Sequence, residues 1–395
     1  MKGLKQISGV LVVFLLLQLF LFPWNRAEAA YGAPGVSAEA AALIDVASGR
    51  ILYHKNGDKK MRIASLTKTM TAIVAIESGH LQDVVTVPPE AVGVEGSSIY
   101  LQKGERLTLE ELLYGLMLRS GNDAAVAIAI HVGGSVQGFV HMMNEKAALL
   151  GMTNTNFNNP HGLDDSNMHY STANDMVKLS AYALKHPVFK QIVSTKTKNI
   201  SWEGHNWDRR LQNKNKLLHL YKGADGVKTG YTKLARRCLA SSATRDGRQL
   251  AAITLNAPDD WNDSMNLLDW GFRTFQPETL ISKGEVVTSE EMLEATDERL
   301  QLVTGNDLVY PIRSGEKNQV VTKVSLFQRQ LNEEMIGEHV GFIHVYLGKR
   351  EIGKIPLMVQ QASPAWKTEH STERGRPDAF FELLWQIAAG GMWRA

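Results

Sequence analysis

Two residues of the chain are spaced for nucleophilic catalysis: in Ser65-Leu66-Thr67-Lys68 an alcohol and an amine lie three positions apart. On a helix that spacing puts both side chains on one face, one turn apart, so the amine can take the alcohol's proton. An ordinary lysine, with a pKa of ~10.4, stays protonated at neutral pH, so a working site must lower it by several units, at ~1.4 kcal/mol per unit. Burial and a second cation nearby are two ways to do so. A serine at a helix N-terminus also has unpaired backbone N–H groups beside it, which favour developing negative charge.

The pattern alone is weak, since it recurs at Ser314-Gly315-Glu316-Lys317. There Gly315 marks a turn, so no helical face aligns the serine with the lysine. Two further segments give the first copy its weight. Ser120-Gly121-Asn122 offers a hydroxyl that can relay a proton to a leaving amine and an amide that can hold a substrate carbonyl. Lys228-Thr229-Gly230, followed by Tyr231, offers a cation and a hydroxyl for a substrate carboxylate and a glycine that lets a peptide lie against a strand edge. In this order the three segments match the S-x-x-K, S-x-N and K-T-G set.

The elements that must position these groups follow from periodicity. Leu66, Met70, Ile73 and Val74 predict a helix over 65–78, closed by Gly79. Thr108 and Glu111 form a capping box for a helix over 108–118, and an alanine-rich helix starts at Asp123, so Arg119–Asn122 is a helix-to-helix turn. Further helices are predicted over 136–150 and, capped by Ser171, over 172–184. Strands are predicted over 226–231, 238–244 and 249–256, with a hairpin in 36–53 turning at Ser48-Gly49 and a last helix over 265–275. The order hairpin, helices, three strands and helix predicts an α+β domain: an antiparallel sheet with a helical cluster packed on it.

At 395 residues and 44% hydrophobic content, the chain is long enough for two domains. A formal charge of +2 gives no electrostatic reason to expect nucleic acid. The single cysteine, Cys238, excludes an internal disulfide and reads as a buried, inert thiol; the scattered histidines lack zinc spacing, and no metal or cofactor is implied. His161 and His169 read as loop-surface histidines. Residues 1–29, with Lys2 and Lys5, an apolar run from Ile7 to Phe22 and Ala27-Glu28-Ala29, read as an export signal. The catalytic domain is predicted over 30–276 and a small all-β domain over 277–360. A linker broken by Pro364 and Pro377 follows over 361–377, and then an amphipathic tail helix over 378–395. With Phe380, Phe381, Leu384 and Trp385 opposite Asp378, Glu382 and Gln386, such a helix suits a membrane surface or a protein groove.

After its leader, nearly the whole chain resembles the low-molecular-mass penicillin-binding proteins of the D-alanyl-D-alanine carboxypeptidase family. Arg62–Ser65, Gly115–Asp123, Asn159-Pro160-His161-Gly162-Leu163 and Lys228–Thr232 carry the likeness beside the three motifs. The wording around Trp261 and of Ala388-Ala389-Gly390-Gly391 is most similar to sporulation-type members of endospore-forming bacteria.

The resemblance implies a β-lactamase/transpeptidase-like catalytic fold acting on peptidoglycan stem peptides, with β-lactams as covalent inhibitors. It implies Ser65 as acylated nucleophile, Lys68 as base, Ser120 as proton relay and Asn122 as a substrate contact. Lys228 and Thr229 would face the terminal carboxylate, and the N–H groups of Ser65 and Tyr231 would form the oxyanion hole. Some members carry a carboxylate-binding arginine shortly before the last catalytic-domain helix. Here that stretch reads Asp259-Asp260-Trp261-Asn262, which leaves carboxylate binding mainly to Lys228 and Thr229. Two alternatives stand beside this reading: a class A-type β-lactamase, which needs a glutamate to activate the deacylating water, and a cell-wall binding module without turnover.

Overall fold

The computed structural model describes residues 32–287, 299–327 and 331–362. The leader over 1–29 and the tail helix over 378–395 lie outside the described residues. In the N-terminal part, strands β1 (Ala40–Asp45), β2 (Ile51–Lys55), β7 (Ala224–Thr232), β8 (Arg236–Arg245) and β9 (Arg248–Leu255) form one antiparallel sheet in the order β2-β1-β9-β8-β7. Two small antiparallel hairpins, β3 (Val84–Thr86) with β4 (Arg106–Thr108) and β5 (Thr197–Ile200) with β6 (Arg209–Gln212), stand apart from it.

Strand β1 is buried along its whole length, which explains the run Ala40-Ala41-Ala42-Leu43-Ile44. Its side chains alternate between two cores. Ala40, Ala42 and Ile44 join the large helical cluster, while Ala41 and Leu43 join a second core with Leu267, Leu268 and Trp270. The sheet is therefore the middle of three layers. On one face pack α1 (Lys68–Ser78), α2 (Leu109–Tyr114), α3 (Asn122–Gly133), α4 (Val136–Leu149), α5 (Ala173–Leu184) and α6 (Pro187–Ser194). A short α7 (Leu217–Leu220) precedes β7, and α8 (Asp260–Thr274) covers the other face.

Three predicted helices differ in detail. Ser65 belongs to a 3-10 turn, Ala64–Thr67, that runs into α1 at Lys68. In a 3-10 turn, residues three apart eclipse, so Ser65 and Lys68 are brought into line more directly than on an α-helix. The helix capped by Thr108 changes at Gly115 to a π turn, Gly115–Arg119. The cap of α5 is Thr172, whose side chain accepts from Asp175 N, rather than Ser171; Ser171 instead exchanges backbone hydrogen bonds with Met61.

From Gln276 onward, strands and short 3-10 turns make up the described elements. Strands β11 (Val286–Val287), β12 (Leu300–Thr304), β14 (Val320–Leu326), β15 (His339–Leu347) and β16 (Arg350–Gln361) make a sheet in the order β11-β12-β16-β15-β14. Leu302, Val345, Leu357 and Val359 are among the side chains that fill its core. Strands β10 (Gln276–Ile281) and β13 (Leu308–Ile312) pair separately, with Pro277 opposite Pro311. Both prolines mask strand signals in the sequence, yet they face each other at one rung between Gln276–Ile312 and Glu278–Tyr310, a non-hydrogen-bonded position at which neither strand needs an N–H for the ladder.

Candidate active site

The three motif segments converge on one cleft. Ser65, Ser120, Thr229, Gly230 and Tyr231 line a cavity of about 330 Å³, together with Ser97, Lys214, Arg237, Asp260 and Trp261. Strand β7 is the last strand of its sheet, and its edge meets the turn that carries Ser65. A side chain at Gly230 would place its Cβ 3.2 Å from Ser65 N, so glycine permits the close approach that brings Tyr231 beside Ser65. That approach is the one the implied oxyanion hole requires.

Two further backbone features fix the serine from behind. Ala64 has φ +47° and Ser120 φ +64°, the left-handed region that non-glycine residues rarely adopt, and each stands at or beside a motif serine. Gly162 has φ +88° and packs so tightly under this turn that a Cβ there would lie 1.9 Å from Ala64 O. The Asn159–Leu163 loop thus forms a floor for the Ser65 turn, and Asn159 Oδ1 shapes it by accepting from Gly162 N at 2.6 Å.

Lys68 is completely buried, and its Nζ has three neighbours: Ser65 Oγ at 3.1 Å, Asn122 Oδ1 at 2.6 Å and His161 O at 2.7 Å. Two of these, an amide oxygen and a backbone carbonyl, can only accept. A neutral amine has two hydrogens for them and one lone pair, which is left facing the hydroxyl of Ser65. The site therefore fits the base form of lysine. Burial pushes the Lys68 pKa far below the usual lysine range, and the ammonium groups of Lys228 and Lys214 push it further, while Asp123 opposes them.

Lys228 is as deeply buried, and its Nζ donates to Thr229 O at 2.9 Å. Burial, then Lys214, lower its pKa to about 7. The cation foreseen for a substrate carboxylate is thus placed inside the protein, where its charge acts on Lys68. Asn122, foreseen against a substrate carbonyl, uses Oδ1 on Lys68 and donates from Nδ2 to Glu95 O at 2.5 Å. Its placement makes it a holder of the Lys68 amine. Ser120 and Thr229 line the cleft itself, where a relay and a substrate hydroxyl contact belong.

Several contributors carried no signal in the motifs. Asp123 is buried and accepts from Ser98 Oγ at 2.6 Å and from the N–H groups of Ile99 and Leu101 at 3.1 Å, clamping the Ser97 wall to the start of α3. Lys214 donates to Ser97 Oγ at 2.9 Å across the cleft wall. Only the acidic residue after Asn122, a common helix-start feature, hinted at the first; nothing in sequence singled out the second.

His161 and His169 are buried, against the surface reading. Burial lowers their pKa to about 3 and about 4 respectively, with Lys68 a further cause for both. Asn158 N donates to His169 Nδ1 at 3.0 Å, so Nε2 carries the hydrogen and donates to Thr67 Oγ1 at 2.8 Å, which in turn donates to Ala64 O at 2.9 Å. These neutral rings brace the Ser65 turn. Cys238 is buried, with its pKa raised to about 12 chiefly by burial, as suits an inert thiol.

Comparison with known proteins agrees with this geometry. Residues 27–259 match the family model described as D-alanyl-D-alanine carboxypeptidase, and residues 275–365 the one described as penicillin-binding protein 5, C-terminal domain. The chain is 34% identical over 361 residues to the D-alanyl-D-alanine carboxypeptidase DacC of Escherichia coli (strain K12), covering 87% of this chain and 89% of that protein. It is 34% identical over 296 residues to DacF of Bacillus subtilis (strain 168), covering 72% and 75%. Among solved structures, penicillin binding protein 5 from Haemophilus influenzae superposes with a TM-score of 0.67 at 29% identity, covering 83% of this chain and 98% of that one.

Proposed function

The chain belongs to the D-alanyl-D-alanine carboxypeptidase family and is a serine hydrolase of the penicillin-binding kind, and from that premise we propose how its residues divide the work. Ser65 gives its proton to the neutral amine of Lys68 as Oγ attacks the carbonyl carbon of the penultimate D-alanine. The oxyanion is received between the N–H groups of Ser65 and Tyr231. The C–N bond breaks as Ser120 gives its proton to the departing amine and takes in its place the proton held on Lys68, so terminal D-alanine leaves and Lys68 is neutral again. Water then attacks the ester on Ser65, giving its proton back through Lys68, and the shortened stem peptide is released. A β-lactam follows the first half of the same path and stays on Ser65.

The observation that carries this reading is the contact of Lys68 Nζ with Ser65 Oγ at 3.1 Å, with both other partners of Nζ acceptors only. Mass spectrometry of the penicillin-treated protein tests it: the adduct is expected on Ser65, and a label elsewhere would displace the nucleophile. A β-lactamase finds less support, because the glutamates between Asn122 and Lys228 are engaged away from the cleft. Glu145 pairs with His141, and Glu203 accepts from Arg106 N. Penicillin adducts lasting minutes favour the peptidase; millisecond turnover would favour the lactamase. Release of D-alanine from a lysine- or diaminopimelate-containing pentapeptide separates the enzyme from a binding module.

Export and anchoring belong to the same proposal. The export-signal pattern over 1–29 and the apolar residues Phe380, Phe381, Leu384 and Trp385 of the helix predicted over 378–395 support an enzyme on the outer side of the cell membrane, held by 378–395. Deleting 378–395 should release it into the soluble fraction with peptidase activity intact; retention on membranes would assign the anchor elsewhere. The wording around Trp261 and the tail supports a role in spore cortex or cell-wall maturation, checked by whether cortex cross-linking changes when the gene is removed.

A further inference from the structure

One charge pair in the cleft has no part in the mechanism above. Arg237, near the start of β8, stands opposite Tyr231 in the strand register, and Asp260 is the first residue of α8. Both line the cleft that holds Ser65 and Thr229. The Asp260 side chain is 5% exposed and that of Arg237 44% exposed, so the carboxylate is buried and the guanidinium is at the surface of the cleft. Nε and Nη2 of Arg237 both donate to the single oxygen Oδ1 of Asp260, at 3.1 and 2.5 Å.

This geometry uses one edge of the guanidinium and frees the other. Of its five N–H groups two go to Asp260, which leaves the pair on Nη1 and one on Nη2, a fork that matches a carboxylate. Asp260 is itself anchored: the positive end of the α8 macrodipole favours its charge, and α8 packs on the sheet through Leu267, Leu268 and Trp270. The other cations of the cleft region are less suited to an incoming carboxylate. Lys228 is buried with its Nζ on Thr229 O, and Lys214 is a point charge bound to Ser97 Oγ.

We infer that Arg237 is the receptor for the terminal carboxylate of the substrate peptide, and that Asp260 is the positioning residue that aims its free edge. The inference rests on the reading of the cleft as a D,D-carboxypeptidase site. It moves carboxylate recognition from Lys228 to the neighbouring strand, with Thr229 retained as a partner.

The test compares kcat/KM of the full chain on a pentapeptide ending in D-Ala-D-Ala as the free acid and as its C-terminal amide. Removing Arg237 alone would leave a buried carboxylate unpaired, so the main variant is Arg237→Gln combined with Asp260→Asn, its folding checked by thermal melting. The wild type should prefer the acid, and the double variant should lose that preference by about 10- to 100-fold, mostly through KM, as expected for a charged hydrogen-bond pair. Asp260→Asn alone should fall between, and Arg237→Lys should retain part of the preference. Unchanged selectivity in the double variant, or its loss in Lys214→Met instead, would overturn the assignment. A wild-type enzyme that releases no D-alanine from the acid would overturn the underlying reading as well.

Discussion

In the catalytic region Lys68, Lys228, Asp123 and Asn122 are each at most 3% exposed, whereas beyond Gln276 the buried polar side chains among the described residues are Thr304 and Glu316. Thr304 serves a turn, accepting from Glu285 N at 3.0 Å. Glu316 serves the junction: Arg50 reaches it with two hydrogen bonds at 2.9 and 2.7 Å and donates to Pro311 O at 2.6 Å. Burying a polar group destabilises a fold unless that group is paired. The catalytic region accepts this burden where it makes a base out of a lysine; the β domain avoids it and packs as an ordinary apolar core. The buried amines of Lys68 and Lys228 thus lie beside the cleft, and the β domain packs around apolar side chains such as Leu302, Val345 and Leu357.

The sharpest way to break that contrast is to remove the reacting groups. Ser65→Ala should abolish both penicillin labelling and D-alanine release. Lys68→Ala should reduce acylation by ~10²–10⁴-fold, the usual contribution of general base assistance. Either variant with near wild-type labelling would show that the buried pair is not the engine.

A matched pair of glycine substitutions is the next test. A Cβ on Gly162 would lie 1.9 Å from Ala64 O, and one on Gly341 2.2 Å from Ser325 O, so the two clashes are alike. Each should destabilise its own region by about 1–3 kcal/mol. Gly162→Ala should also slow acylation tenfold or more, because the turn carrying Ser65 must shift ~1 Å. Gly341→Ala should leave the acylation rate unchanged, as read by labelled-penicillin kinetics.

At the junction, Arg50→Ala leaves Glu316 without its main partner and should destabilise the chain by about 3 kcal/mol, measured by denaturant unfolding, with acylation preserved. Burial raises the Glu316 pKa, but hydrogen bonds from Arg50 and Arg313 outweigh it and the net direction is down. The depressed carboxylate contributes stability that is present above its ordinary pKa and lost as pH falls through the lowered one. Acid unfolding should therefore begin at higher pH in the Arg50 variant. The smallest effect is expected from Lys228→Met: removing one repelling ammonium should move the midpoint of the rising limb of the acylation profile to higher pH, since Lys228 helps depress Lys68. A downward shift would contradict the charge coupling.

Much of this was legible from residue order. The periodicity of Leu66, Met70, Ile73 and Val74 locates α1, and the capping box at Thr108 is present as read. What stayed hidden depends on contacts between distant segments. Asp123, Lys214 and Arg237 reach the cleft only because the Ser97 wall, the segment before α7 and the start of β8 meet there. The inward placement of Lys228 follows from its parity on β7, and the extent of its burial depends on helices that no local pattern specifies. Strands β10 and β13 were obscured by Pro277 and Pro311, whose direct opposition is a fact of register.

The central claim is that Lys68 reaches Ser65 as a neutral amine, and the pH dependence of Ser65 acylation by penicillin measures it most directly. The rate should climb with pH and level off at a midpoint well below the ordinary lysine value of 10.5. A rate that keeps rising until the pH reaches that ordinary value would mean that Lys68 holds its proton like a free amine and is not the base.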